Sequence, residues 1–302
     1  ILLTNMHEGW ERAEMGEEYP DNAVAGVAAA LSWLDQIPRE EPFFMLIQPM
    51  DSHAPWHPFP EYLGRWSDPE ALPFSVEDSE TDQKILLQEA ADVADVEEEA
   101  ALRENMLALY DEEILGMDRA VVNLMEGLEV RGLTQNTLVV FTADHGEGFF
   151  EKPATFGHGG SVRQELVRIP LAFYHPSLTT KVIEGCPIGN MDLLPMVGTW
   201  VGWPELVPPP ADCRDQVPVS FYRRESEQST LLEKVGLVAR DIRVEVDCQT
   251  GEILAYDRID DPTAVHSVAP AALKGGRELL EALRAHVAEI QARRPEIACV
   301  SF

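Results

Sequence analysis

The sequence predicts an α/β fold with a mostly parallel sheet between helices, followed by a small C-terminal antiparallel α+β subdomain. Three observations predict it. Short apolar runs alternate with long amphipathic helical patterns up to about Trp203. Two polar clusters each fall just past the end of such a run. After Trp203 the texture changes to prolines, short strand-like segments and one last helix.

The elements follow in order. Val24, Val27, Ala30, Leu31 and Leu34 keep a helical spacing, so a helix is expected from Asn22 to about Gln36. Pro42 precedes a continuous apolar run, Phe43-Phe44-Met45-Leu46-Ile47, which reads as a buried strand. Ser52 to Pro73, rich in Pro and aromatics, reads as an ordered loop. An acidic, alanine-rich patch covers Glu89 to Ala101, with Glu97-Glu98-Glu99 as a solvated helix start. The strongest helix carries Leu102, Met106, Leu109, Ile114, Met117, Val121, Leu124 and Leu128, with Gly132 placed to cap its end. Buried strands are expected at Thr137–Thr142 and Ile169–Tyr174, joined through a Gly-rich loop.

Pro204, Pro208, Pro209 and Pro210 mark a connection between a domain over 1–203 and a subdomain over 204–302. Within the latter, strands are expected at Val217–Tyr222, Val235–Val238, Ile242–Val246 and Ile253–Tyr256. A helix from about Arg277 to Arg293 carries Leu279, Leu280, Leu283, Val287 and Ile290 on one side.

Composition excludes several functions. The 302 residues carry 53 acidic against 23 basic side chains, a net charge of −30, which argues against binding a nucleic-acid backbone. No apolar run reaches the roughly 18 residues of a membrane-spanning helix, so no membrane partner is expected. Only Lys84, Lys152, Lys181, Lys234 and Lys274 are lysines; with so many carboxylates this acidic protein looks salt-adapted, or halophilic, with an acidic mesophilic protein as the alternative. Cys186, Cys213, Cys248 and Cys299 form no C-x-x-C pair, which argues against a zinc knuckle, and their spacing neither requires nor excludes a disulfide. No secretory leader is visible before Ile1, so a cytoplasmic location is the expectation, and the missing initiator Met indicates processing or truncation.

The chemistry-bearing residues sit where loops leave the C-terminal ends of strands, the edge at which open α/β sheets bind ligands. The first cluster is Asp51-Ser52-His53-Ala54-Pro55-Trp56; Pro55 biases Ala54 toward an extended backbone that would hold His53. The second is Thr142-Ala143-Asp144-His145-Gly146-Glu147-Gly148. A carboxylate beside an imidazole suits a divalent cation, so Asp144 and His145 are the metal-ligand candidates. The alternative is that Asp144 caps a turn and His145 is a surface residue. His158, in Phe156-Gly157-His158-Gly159-Gly160, is the next candidate. His7, His57, His175, His266 and His286 have no supporting context. No G-x-S-x-G elbow, Walker A loop, H-E-x-x-H helix or G-x-G-x-x-G turn occurs.

Together these segments resemble the sulfatase family of the alkaline-phosphatase superfamily. The resemblance runs from Pro42-Phe43-Phe44 through Asp51-Ser52-His53-Ala54-Pro55-Trp56, then Tyr110-Asp111-Glu112-Glu113-Ile114, then Leu138 through Asp144-His145-Gly146-Glu147. It continues at Val167-Arg168-Ile169-Pro170-Leu171, at Met191-Asp192-Leu193-Leu194-Pro195, and at Glu252 through Asp257 with Asp261-Pro262. The resemblance implies an alkaline-phosphatase-like sandwich and hydrolysis of a small-molecule or carbohydrate sulfate ester. Asp144 and His145 would ligate the metal, commonly calcium, with manganese or zinc as alternatives. His53 would contact the sulfate or the leaving oxygen as a catalytic and binding residue. His158, or Lys152, would supply the basic contact to the ester, with His158 in the catalytic set.

One departure stands out. The family's nucleophile is a formylglycine made within a Cys/Ser-x-Pro-x-Arg motif, and no such motif occurs here. The formylglycine is therefore expected in a segment preceding this one, and the isolated chain is expected to be inactive. The alternatives are a phosphodiesterase or phosphonate monoester hydrolase of the same superfamily, or a non-catalytic fragment if the chain starts at Ile1. The oligomeric state is not legible.

Overall fold

A computed structural model describes residues 22–151, 156–179, 187–202, 214–224, 230–261, 264, 266–300 and 302. Lys152, Cys186, Cys213, Pro262 and the proline connection at 204–210 lie outside the described residues. The chain forms two compact units, Ile1–Val139 with His175–Ser177, and Val140–Tyr174 with Leu178–Phe302.

The first unit is helical. Helix α1 (Ala23–Leu34) starts where the Asn22 side chain accepts the Ala25 N–H at 3.0 Å. Helix α2 (Glu80–Val93) starts at Ser79, whose hydroxyl accepts the Asp82 N–H. Helix α3 (Val96–Val130) has a reciprocal cap: Asp95 accepts from Glu97 and Glu98, and Glu98 accepts the Asp95 N–H. The Glu97-Glu98-Glu99 run is thus a helix start, as its charge at the positive end of the helix dipole favours. Gly132, at φ 70°, ends this helix, and the Leu133 N–H returns to the Leu128 carbonyl at 2.9 Å. Ala23 and Val27 of α1 pack on Ala120 of α3, with Leu31, Ile47, Met117 and Leu124 around them.

The segment Phe43–Ile47 corrects the sequence reading. It is in no strand among the described residues, and Phe44 and Leu46 are 70% and 57% exposed. An apolar run specifies a preference for burial, whereas a strand also needs a hydrogen-bonding partner, and no described residue supplies one. Strands β1 (Val139–Thr142) and β2 (Leu171–Tyr174) do form, as a separate two-stranded sheet. They are not the fully buried strands expected, since Phe141 and Tyr174 are exposed.

In the second unit, a short helix α4 (Gln164–Val167) precedes β2, and α5 (Leu193–Trp200) follows a 3₁₀ turn at Asn190–Asp192. Strands β3 (Gln216–Arg224), β4 (Thr230–Ala239), β5 (Ile242–Asp247) and β6 (Ile253–Asp257) form an antiparallel sheet in chain order. Helix α6 (Gly276–Arg293) covers one face, where Leu279, Leu283 and Val287 meet Leu232, Val235, Ile242, Val244 and Val246. The period-two alternation of β5 puts Arg243 and Glu245 on the opposite face. Both are buried and pair at 2.9 Å, with the Arg243 guanidinium 4.5 Å from the Tyr256 ring centre. A Cys248–Cys299 disulfide fastens the chain end to β5, beside a 2.9 Å bond from the Val300 N–H to the Cys248 carbonyl. The four-strand-plus-helix pattern expected after Trp203 is therefore present.

Candidate functional site

In the first unit, the loop 51–67 carrying His53 is suspended from buried polar side chains. Gln83 of α2 accepts the Trp56 N–H at 2.9 Å and donates to the Trp56 carbonyl at 3.3 Å. Glu112 of α3, wholly buried, accepts from the Gly64, Trp66 and Ser67 N–H groups and from the Ser67 hydroxyl at 2.7–3.1 Å. Its neighbour Glu113 accepts the His57 N–H. Asp51 opens the loop by accepting the Ala23 N–H at the start of α1 through both oxygens, at 2.8 and 2.9 Å. The Ala54–Pro55 bond is cis. His53 Nδ1 donates to the Ala54 carbonyl at 2.5 Å, so in the neutral ring Nε2 carries the lone pair.

These carboxyls are electrostatically loaded. Burial pushes Glu113 up to about 8, the charges of Asp51 and Glu112 add to that, and the His57 N–H opposes it. Burial also raises Asp51, against the hydrogen bond from Ala23.

In the second unit, the loop after β1 is held by backbone and by a missing side chain. The Gly146 N–H donates to the Leu166 carbonyl at 2.8 Å, and a Cβ at this position would lie 2.1 Å from the Glu165 carbonyl oxygen. Only glycine permits that approach. Asn190 donates to the Ala143 carbonyl at 3.0 Å, and the Gly157 N–H to the Gly148 carbonyl at 3.0 Å, closing the loop. Phe150 and Phe156 stack beneath it at 5.7 Å.

This arrangement exposes Asp144 and sets two imidazoles against each other. The Asp144 side chain is 69% exposed and that of His145 40%. The His145 and His158 rings stack at 4.2 Å. His145 Nδ1 donates to the Gly146 carbonyl at 2.8 Å, leaving Nε2 as its ligating nitrogen, 3.8 Å from Asp144 Oδ2. Two donors each about 2.0–2.5 Å from one cation must lie within about 5 Å of each other, and this pair does. The set is partial, since no group of three or more His, Cys, Asp or Glu ligands occurs among the described residues. His158 Nδ1 donates to the largely buried Glu147 carboxylate at 3.2 Å, which fixes its tautomer as a carbonyl fixes those of His53 and His145.

The predicted residues Asp144, His145 and His158 thus come together within one unit, and His53 takes its place in the other. Lys152 lies outside the described residues. Sequence reasoning did not single out Gln83, Glu112, Glu113 or the Glu147–His158 pairing. Only Glu112 and Glu113, two carboxylates on the inward face of an otherwise apolar stripe, left a detectable signal.

Comparison with known proteins places the chain. The sulfatase family model matches residues 5–203. N-acetylglucosamine-6-sulfatase of Bos taurus is 25% identical over 193 residues, 60% of this chain and 33% of that enzyme. The uncharacterized sulfatase YidJ of Escherichia coli is 26% identical over 260 residues, 79% of this chain and 49% of its own length. The chain therefore spans about a third to a half of these curated relatives. Among solved structures, a protein in complex with its substrate D-glucosamine-2-N,6-O-disulfate superposes with a TM-score of 0.67 at 17% identity, covering 93% of this chain and 72% of the other. The sulfatase yidJ of Bacteroides fragilis gives 0.64 at 19% identity, covering 88% and 58%. At such identities the solved structures establish the fold.

Proposed function

This chain belongs to the sulfatase family, and on that premise we propose that it supplies part of the active site of a metal-dependent hydrolase of sulfate esters. The observation that carries the reading is the Asp144-His145-Gly146 turn. It pins His145 Nδ1, aims Nε2 toward the Asp144 carboxylate and exposes both. Asp144 and His145 would hold a divalent cation, calcium first, with manganese or zinc as alternatives. Such an ion, when bound, stabilises negative charge developing on a transferring anionic group. His158 would offer a proton-bearing or proton-accepting Nε2 to the ester, with Glu147 holding its ring, and His53 would contact the sulfate or leaving oxygen. Lys152 remains the second basic candidate. The nucleophile would be a formylglycine, whose motif does not occur in these 302 residues.

The substrate class proposed is a sulfated sugar, supported by the amino-sugar sulfatase among the relatives and the amino-sugar disulfate bound in the solved structure. The end of the family match at residue 203 supports a catalytic portion over 1–203 and a C-terminal subdomain over 204–302. The exposed apolar residues Phe141 of β1 and Tyr174 of β2 support placing these two strands in a larger, mostly parallel sheet of an alkaline-phosphatase-like sandwich. The Cys248–Cys299 disulfide supports an oxidising compartment rather than the cytoplasm expected from the sequence.

The test is turnover of N-acetylglucosamine-6-sulfate by the protein expressed with any upstream coding sequence and formylglycine installed. Asp144→Ala is expected to abolish sulfate release. Unchanged turnover in that variant would remove Asp144 from the active site.

A further inference from the structure

The C-terminal sheet carries none of the candidate ligands, yet a path of contacts inside the second unit ties it to the turn that carries them. The path begins at Arg214, just before β3. Its guanidinium meets Asp192 Oδ1 through Nε at 2.6 Å and through Nη2 at 2.5 Å. Asp192 is 1% exposed, and its other oxygen accepts the Gly189 N–H at 2.9 Å. The Asp192 N–H returns to the Gly189 carbonyl at 2.8 Å. Val217 of β3 packs on the same turn so closely that a Cβ on Gly189 would lie 2.7 Å from its Cγ1. The turn over Gly189–Asp192 is therefore gripped twice from the C-terminal side, by an ion pair and by a steric contact. From this turn the exposed Asn190 side chain donates to the Ala143 carbonyl at 3.0 Å.

We propose that Asn190 is a positioning residue for the Asp144-His145 turn, and that Arg214 and Val217 make it one by fixing the turn on which it stands. The rigidity of the peptide unit carries the effect. The Ala143 carbonyl and the Asp144 nitrogen share one plane, so a hydrogen bond to that oxygen orients the backbone from which Asp144 departs. Asp144 depends on such an anchor because its side chain, 69% exposed, is directed little by packing. At the other end of the span, the Gly146 N–H is fixed to the Leu166 carbonyl at 2.8 Å. Asp144 and His145 thus lie on a short stretch pinned at both ends, and the Asn190 pin is the one that a side-chain substitution removes. An exposed asparagine making one hydrogen bond adds little to global stability, so its loss releases the turn without unfolding the unit. The anchor stands on these contacts alone. It rests on the sulfatase reading only for the consequence that a loosened turn holds a cation less well.

The experiment is NMR on the whole 302-residue chain, metal-free at first. Backbone amide relaxation should show Asp144 and His145 rigid in wild type, with order parameters near about 0.85, and loosened in Asn190→Ala. The same loosening is expected in Arg214→Met, and Arg214→Lys should restore rigidity by keeping a cation on Asp192. Amides of β3 to β6 should keep their wild-type values in Asn190→Ala, which separates a local anchor from a general loss of structure. An Asp144 amide equally ordered in wild type and Asn190→Ala overturns the proposal. So does loosening that spreads through β3 to β6. Manganese is then added, and broadening of the His145 ring signals reports a cation at the turn. Asn190→Ala should need about threefold to tenfold more manganese for the same broadening, the worth of one net hydrogen bond. An unchanged requirement removes Asn190 from the positioning of the ligand pair. Wild-type His145 signals that stay sharp in manganese contradict the metal reading of the turn, while the metal-free relaxation still decides the anchor.

Discussion

The two loops that carry the candidate histidines are built on opposite principles. The His53 loop hangs from side chains: Asp51, Gln83, Glu112 and Glu113 are buried and spend their polar atoms on its backbone. The described residues of the loop from Asp144 to His158 are held mainly by main chain, with side-chain bonds from Asn190 to the Ala143 carbonyl and from the Phe149 N–H to Glu151. Gly146 and Gly157 make its backbone bonds, glycine clears the Glu165 carbonyl, and the Asp144 carboxylate stays in solvent. Side-chain suspension gathers carboxyl groups beneath a loop, shielded from water. Main-chain closure keeps the carboxylate outside, where a cation can reach it.

The sharpest way to test this contrast is pH. Glu113 is raised from 4.5 to about 8, so its contribution to stability is fully present below about 4.5 and is lost as pH rises through about 8. The unfolding free energy from denaturant titrations should fall across that window more in wild type than in Glu113→Gln. Parallel curves for the two proteins would dissolve the distinction between the loops.

Next in size is Glu112→Ala. It strands the N–H groups of Gly64, Trp66 and Ser67 without their acceptor, and a loss of about 3 kcal/mol is expected in urea unfolding. A smaller loss, roughly 2 kcal/mol, is expected for Gly146→Ala, because the new methyl would push Glu165 and α4 away. If Gly146→Ala leaves the unfolding midpoint in place, the closure of that loop is looser than described. The least effect on stability, within about 0.5 kcal/mol, belongs to the exposed Asp144→Ala. Calorimetry with calcium should show weak binding to the wild-type chain, as two ligands predict, and none to this variant. A stability loss comparable to that of Glu112→Ala would mean that Asp144 is structural.

Legibility in the sequence followed the range of the forces involved. Local patterns were readable: the apolar stripe of α3, the acidic start at Glu97–Glu99, the glycine after Arg131, and the short strands after residue 214 all appear where periodicity and caps put them. Helix α2 carried an equally local signal, Ser79 as cap and Gln83, Leu87 and Ala91 at four-residue steps. It escaped because acidic residues lower the contrast of that stripe and because Gln83 faces inward. Phe43–Ile47 failed in the other direction: five apolar residues look like a strand whether or not a partner exists.

The sequence by itself determined the family, the Asp144-His145 pair and the order of most elements, since these are written in contiguous residues. Tertiary structure alone decided what those residues can do. A histidine's lone-pair nitrogen depends on which acceptor takes its other proton, and Ala54, Gly146 and Glu147 do so here. A glutamate's proton affinity depends on how deeply it is buried and which charges lie nearby, and Asp51 reaches Glu113 from 62 positions away. Both properties are set by distances in space, which one-dimensional patterns do not record.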